Sequence, residues 1–184
     1  MWNWLGHKAL PIAVDVGADG VKLLQLQREN KALAVAAAAR RSFPDAAELP
    51  DERRRELAVG AVRELLDAGR FRGRRVVTAL RCEDLRVKNV RVEPGGPAAG
   101  LADAVEAEAR DRLGYDPRHD ELHWLRAGQI RTEAETREEV LLLVAKKDVV
   151  DAHLAMVEAM GLRPEHIDAA PVALFRGFER FLRR

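Results

Sequence analysis

The stretch from Ile12 to Gln27 constrains the chain most, because two apolar runs are separated by only four residues, two of them glycine. Ile12, Val14 and Val16 alternate with Ala13 and Asp15, and Val21, Leu24 and Leu26 resume the apolar pattern after Gly17, Ala18, Asp19 and Gly20. This predicts two paired strands joined by a tight turn. Glycine tolerates positive φ and lets backbone approach a ligand closely, so a turn containing Gly17 and Gly20 can aim several N–H groups at a phosphate. Asp15, at the end of the first strand, would then face a metal held by that phosphate, since Mg²⁺ prefers carboxylate and phosphate oxygens. The same residues also read as a two-glycine hairpin in which Asp15 only caps the turn, because short glycine motifs recur without a ligand.

A chain of 184 residues is long enough for one domain, or for one domain with an inserted subdomain. With 31 basic against 30 acidic residues the net charge is +1, which gives no long-range field to attract nucleic acid, so a nucleic-acid partner is not expected. Cys82 is the sole cysteine, so no internal disulfide can form and a reducing, cytoplasmic setting fits; beside a strand it reads as core filler and not as a nucleophile. No run approaches the ~20 apolar residues that cross a bilayer. Residues 1–8 form an N-terminal apolar segment in which Trp2, Trp4 and Leu5 sit beside Lys8. Such aromatics suit a membrane interface or a partner groove, or else fold back on the domain.

Further along, Leu33 to Ala39 reads as a third strand, and Pro44 and Pro50 bound a loop. Asp51 to Ala68 predicts a helix from Leu57, Ala61 and Leu65 at four-residue spacing, widened by Ala58, Val62 and Leu66 and stopped by Gly69. Val76 to Leu80 is a short buried strand. From Glu83 the organisation changes. Leu85 to Val92 reads as a strand, the sequence from Pro94 to Pro97 as a loop, and Leu101, Val105, Ala109 and Leu113 as one face of a helix. Leu122 to Ile130 and Val140 to Ala145 read as two strands joined by a charged hairpin tip. Residues 83–145 are therefore expected to form an inserted α+β subdomain, with 9–82 and 146–184 making the main lobe. His119 and His123 near Asp116, Asp120 and Glu121 are not expected to hold a metal, since the segment reads as loop into strand and not as a helix that would present both rings together. A helix from Asp148 to Met160, a strand from Glu165 to Ala169 and a last amphipathic helix with Leu174, Phe175, Phe178, Phe181 and Leu182 complete the chain.

In this order the residues carry a family resemblance. Ile12 to Gly17 followed by Val21 and Lys22 resembles the first phosphate motif of the actin-like ATPase superfamily, and Gly161, Leu162 and the run Ile167 to Leu174 are similar to its late helix, Gly-Leu, strand and Pro-Ala-Ala segment. More narrowly, with Arg74 to Leu80, Glu106 to Arg110 and Val140 to Asp151 in support, the chain resembles the PilM family of type IV pilus assembly proteins, relatives of the cell-division protein FtsA. The resemblance implies an actin-like, ribonuclease H-like mixed sheet flanked by helices, in a protein of two lobes of which this chain is the first. It implies ATP and Mg²⁺ in a full-length parent, with Asp15, Gly17, Ala18, Asp19, Gly20 and Lys22 as nucleotide contacts and Asp15 also as the metal-facing group. The chain departs from that pattern: Ala18 and Asp19 replace small hydroxylated residues, Ala170 stands where an acidic residue is common, and no second Asp-x-Gly turn follows. Asp19 would set a carboxylate beside phosphate, where like charges repel. No cofactor and no catalysis are therefore expected of this chain alone.

The resemblance also implies a scaffold at the inner membrane, peripheral and cytoplasmic, that grips the cytosolic N-terminal tail of a PilN-like inner-membrane protein between main lobe and subdomain; self-association through the subdomain is a further expectation. An extended tail needs only strand edges and pockets. The expected contacts are Arg86, Val87, Lys88, Val90 and Val92, on the strand that enters the subdomain. The valines read either as a groove lining or as packing on the helix from Leu101 to Leu113, since alternating strand residues commonly face a core. The rival function is an ATPase or phosphotransferase of the same superfamily whose second lobe lies elsewhere, with Asp15 on metal and Lys22 near phosphate.

Overall fold

A computed structural model describes residues 9–30, 32–43, 48–93, 100–131 and 136–182. The apolar N-terminal segment, Pro44, the loop from Pro94 to Pro97 and the centre of the hairpin tip lie outside the described residues. Among the described residues, eight strands and four α-helices follow one another as β1 (Ala9–Gly17), β2 (Gly20–Glu29), β3 (Ala32–Ser42), α1 (Asp51–Ala68), β4 (Arg75–Leu80), β5 (Leu85–Val92), α2 (Leu101–Leu113), β6 (Asp120–Arg131), β7 (Thr136–Lys146), α3 (Lys147–Ala159), β8 (Arg163–Ala169) and α4 (Ala170–Leu182). Among the described residues no helix is long and apolar enough to cross a membrane. The residues divide into two compact units, one running to Ala79 and resuming over His153–Asp168, the other covering Leu80–Ala152 and Ala169 onward. The last helix, expected with the main lobe, groups with the second unit.

The first unit is built on a five-stranded mixed sheet of order β3-β2-β1-β4-β8. β1 and β2 pair antiparallel from Ile12 opposite Gln25 to Gly17 opposite Gly20, while β1 and β4 run parallel. One face carries Ile12, Val14, Val21, Leu23 and Val76, and on it pack Ala58, Ala61, Val62 and Leu66 of α1 with Val157 of α3 and Met160 just beyond it. α1 and the end of α3 thus pack on the same face of this sheet. The α1 stripe is also turned by one position: Ala58, Ala61, Val62 and Leu66 are buried, while Leu57 and Leu65 sit at its margin. In β2 the inward residues are Val21, Leu23 and Gln25, and Leu24 is 40% exposed. Period-two alternation from Val21 requires this and turns Leu24 and Leu26 to the other face; the irregularity in the pairing is an extra residue, Ala36, in β3.

Gln25 is 1% exposed among these apolar side chains and makes three hydrogen bonds. Its Nε2 donates to the carbonyls of Leu10 at 2.9 Å and Arg72 at 2.8 Å, and its Oε1 accepts from the Arg72 N–H at 2.8 Å. A buried amide is tolerable only when satisfied in this way. It fastens β2 to the approach of β4, a tie that no apolar pattern announces.

The second unit is a three-stranded antiparallel sheet of order β5-β7-β6. The central strand β7 is apolar on both faces, from Val140 to Ala145, as a strand buried on two sides must be. On one face Val90, Val92, Val140 and Leu142 meet Val105 and Ala109 of α2. On the other, Leu143 meets Ala169, the last residue of β8, and Val172 in the first turn of α4, with Leu85, Leu125 and Leu141 beside them. Gly114 stops α2 in the left-handed conformation at φ 60°, and its N–H reaches the Arg110 carbonyl.

Candidate functional site

The glycine turn is built as a two-residue hairpin. Gly17 and Gly20 are register partners, so Ala18 and Asp19 alone occupy the tip, and both are exposed. Gly20 is dictated by β3: a Cβ there would lie 2.3 Å from the Arg41 carbonyl oxygen and 3.0 Å from the Ser42 Cα. The Asp19 carbonyl accepts the Phe43 N–H at 2.6 Å, so the end of β3 buttresses the turn. Asp15 and Lys22 face each other across the hairpin with Oδ2 and Nζ 3.2 Å apart, both about two-thirds exposed. The six residues named for nucleotide do come together. There the Asp15 carboxylate is matched by Lys22, and Asp19 adds a second negative charge at the tip. A phosphate there would meet two carboxylates and one ammonium. Among the described residues no group of three His, Cys, Asp or Glu side chains is placed to hold a metal.

The strand β5 sorts the five residues expected to touch a partner into two sets. Val90 is 7% exposed and Val92 4%, both against Val105 and Ala109, so they belong to the core and line no groove. Their alternation places them on the α2 side, which corrects the expectation for these two positions. Arg86 lies on that side too and is committed to structure. Its guanidinium donates to the Leu113 carbonyl at 2.5 Å, capping the end of α2, and its Nη2 lies 2.7 Å from Asp120 Oδ1. Val87 and Lys88 are the accessible members; Val87 is 41% exposed.

Asp120 is the polar centre of this unit and was not singled out from the sequence as such. At 1% exposure its carboxylate accepts the Asp116 N–H at 2.9 Å and lies 3.0 Å from Lys146 Nζ as well as beside Arg86. The Arg86 contact is close but off-axis, an ion pair and not an aligned hydrogen bond. Burial alone would raise the Asp120 pKa, but the Asp116 N–H, Lys146 and Arg86 together outweigh it and hold the carboxyl well below the usual range. Next to it, hydrogen bonds from the Arg118 side chain and backbone lower Asp116 to about 2. The neighbouring turn is tied down by Lys147, whose N–H donates to the His119 carbonyl and whose Nζ donates to that of Pro117. One carboxylate thus joins β5, β6, β7 and the end of α2. The legible signal was an acidic residue at the start of a strand opposite a lysine at the end of its partner, which needs the register Asp120 to Lys146 to be seen.

The two edges of this sheet differ. β5 pairs with β7 in eight consecutive steps from Leu85 opposite Ala145 to Val92 opposite Glu138, without irregularity. β6 has a bulge between Arg126 and Gly128. A regular edge can take another strand, whereas a bulged one is blunted against pairing. Cys82, expected in the core, is exposed in the short 3₁₀ turn Cys82–Asp84 that leads into β5.

A five-stranded mixed sheet flanked by helices, interrupted by a small α+β unit, is the first lobe of an actin-like fold. The chain belongs to the family of type IV pilus assembly protein PilM, whose model matches residues 13–184. Among solved structures it is similar to a PilM–PilN type IV pilus biogenesis complex, with a TM-score of 0.73 and 24% identity over 94% of this chain and 51% of that one. It is also similar to the cytoplasmic domain of EpsL, an inner-membrane component of the type II secretion system of Vibrio cholerae, with a TM-score of 0.51 and 16% identity over 88% of this chain and 57% of that one. No curated protein matches. The chain thus spans about half the length of these solved structures.

Proposed function

We propose that this chain is a binding lobe of a type IV pilus machine: a cytoplasmic scaffold that takes the extended N-terminal tail of a PilN-like inner-membrane protein along the free edge of β5. The observation that carries the reading is that edge itself. β5 is regular over eight residues and fixed from behind by Val90, Val92 and Arg86, yet it presents Val87 and Lys88. A strand added there gains main-chain hydrogen bonds, with Val87 as an apolar contact and Lys88 as a match for an acidic group. Family membership over nearly the whole chain and a fold shared with a PilM solved together with PilN support the choice of partner. Peripheral residence at the inner membrane follows if the tail belongs to a membrane protein.

The test is titration of the chain with the N-terminal tail of the PilN in that complex. Val87→Lys with Lys88→Glu is expected to stay folded and to weaken binding at least tenfold; unchanged binding by the folded double variant would refute the edge.

The nucleotide reading is weaker on this geometry. Asp15, Gly17, Ala18, Asp19, Gly20 and Lys22 supply one cation against two carboxylates, and we infer that nucleotide, if held in a longer parent, depends on contacts from outside this chain.

A further inference from the structure

Four arginines meet at the end of the first unit where β1, β4 and β8 begin. β1 and β4 run parallel with Ile12 opposite Val76, and the Arg163 N–H at the head of β8 donates to the Arg74 carbonyl at 2.8 Å. The three strands therefore start side by side. The loop that brings α1 into β4 is fixed at two points: Phe71 packs on the core, and the Gln25 amide holds the Arg72 backbone. Arg70, Arg72 and Arg74 stay exposed around these anchors, and Arg163 is exposed beside Arg74. Among the described residues none of the four guanidinium groups is paired with a carboxylate; Arg74 reaches only the Gly73 carbonyl, at 3.4 Å. Acidic side chains do not balance them. Glu165 is taken up by Arg75, whose Nε donates to it at 2.7 Å, and Glu29 accepts the Gln27 amide. Asp67 and Glu158, in the last turns of α1 and α3, are what remains against four positive charges.

We propose that this end of the first unit rests directly on an anionic lipid surface, with Arg70, Arg72, Arg74 and Arg163 against the phospholipid headgroups. Two observations on separate residues select lipid. The four guanidinium groups come from two loops and are all exposed, which suits a plane of phosphates; a single dissolved anion is held by donors that converge on it. The sequence that enters β1 at this same end then carries Trp2, Trp4, Leu5 and Lys8. A chain spans at most about 3.5 Å per residue, so Trp4 lies within about 18 Å of Ala9 and of the strand ends beside it. Tryptophan favours the membrane–water interface. A short apolar segment alone binds lipid weakly and reversibly, and stable anchoring takes a second, basic signal. The net charge of +1 gives the molecule as a whole no such attraction, so it must come from a local patch. Lipid contact here needs no tail on β5, and either reading can fail alone.

The experiment floats the whole chain with vesicles of phosphatidylglycerol and phosphatidylcholine in equal parts, with no PilN-like peptide present. Flotation is expected with these vesicles and not with phosphatidylcholine alone, and it should fall steeply as salt screens the headgroups. Each basic side chain near an anionic leaflet is worth about fivefold in binding. Arg72→Glu with Arg163→Glu, and separately Trp2→Ala with Trp4→Ala, are therefore expected to lower binding at least about tenfold. Arg40→Glu with Arg55→Glu makes the same charge change at the other end of the unit, beside the glycine turn and at the start of α1, and should leave binding within about twofold. In a chain carrying only Trp124→Phe, brominated phosphatidylglycerol should quench the remaining tryptophan fluorescence, which keeps the test valid if an arginine variant fails to fold. No flotation with the anionic vesicles, equal flotation with phosphatidylcholine, an equal loss from the Arg40 and Arg55 pair, or binding without quenching overturns the proposal. So does capture of soluble polyphosphate by the same arginines without flotation, which would assign a dissolved anion to the patch.

Discussion

Asp120→Ala removes one carboxylate that holds Arg86, Lys146 and the Asp116 N–H. Leaving buried charge unpaired costs about 3 kcal/mol, the low end of the usual range because Lys146 is half exposed. Chemical denaturation should show that loss. The acid behaviour follows in sign: both Asp116 and Asp120 are held below their unfolded values, so the stability they contribute is complete above pH ~4 and is lost as pH falls through the folded values. Melting temperatures of the unaltered chain should be flat from pH 7 to 5 and drop below 4, and Asp120→Asn should make that drop shallower. Gln25→Leu is the parallel case in the first unit. It strands two carbonyls and one N–H that the amide now satisfies, at roughly 3 kcal/mol. Neither residue was legible beforehand, because a buried polar group is recognised by its partners. Those partners lie up to 47 residues away for Gln25.

At the scale of elements, the strands and helices were readable because their periods were clean. β5, α1 and α2 fall on the expected residues, and β4, β8 and α4 start or end within two of them. The continuous apolar run Val140 to Ala145 announced a strand buried on both faces. What periodicity could not supply was which residues of a strand meet which neighbour. Leu24 and Leu26 continued the apolar pattern of Val21 in the sequence although period-two alternation turns them to the opposite face, and Val90 and Val92 stood between groove and core until Val105 and Ala109 were seen against them. Val90→Asp therefore buries a carboxylate against α2 and should unfold the second unit, visible as lost helix and strand ellipticity at 25 °C. Gly20→Ala should cost about 1–3 kcal/mol, since its Cβ would enter the space of the Arg41 carbonyl; a melting temperature within a degree of the parent would contradict that contact.

For the whole molecule, the glycine turn and the β5 edge stand for the two functions such a lobe can have. The hairpin shape of the turn was legible from the alternation on either side of Gly17 and Gly20, and so was the charge of Asp19, whereas the pairing of Asp15 with Lys22 needed the strand register. Calorimetry with Mg-ATP on this chain should show no micromolar binding; a dissociation constant in that range would revive the nucleotide reading. The central claim is that a PilN-like tail lies along β5. Hydrogen exchange of the chain with and without the tail tests it most directly, because an added strand covers amides at the edge it joins. The account predicts exchange slowed at least tenfold within Leu85–Val92, with β6 unchanged; a tail that binds while β5 exchanges at its free rate would contradict it.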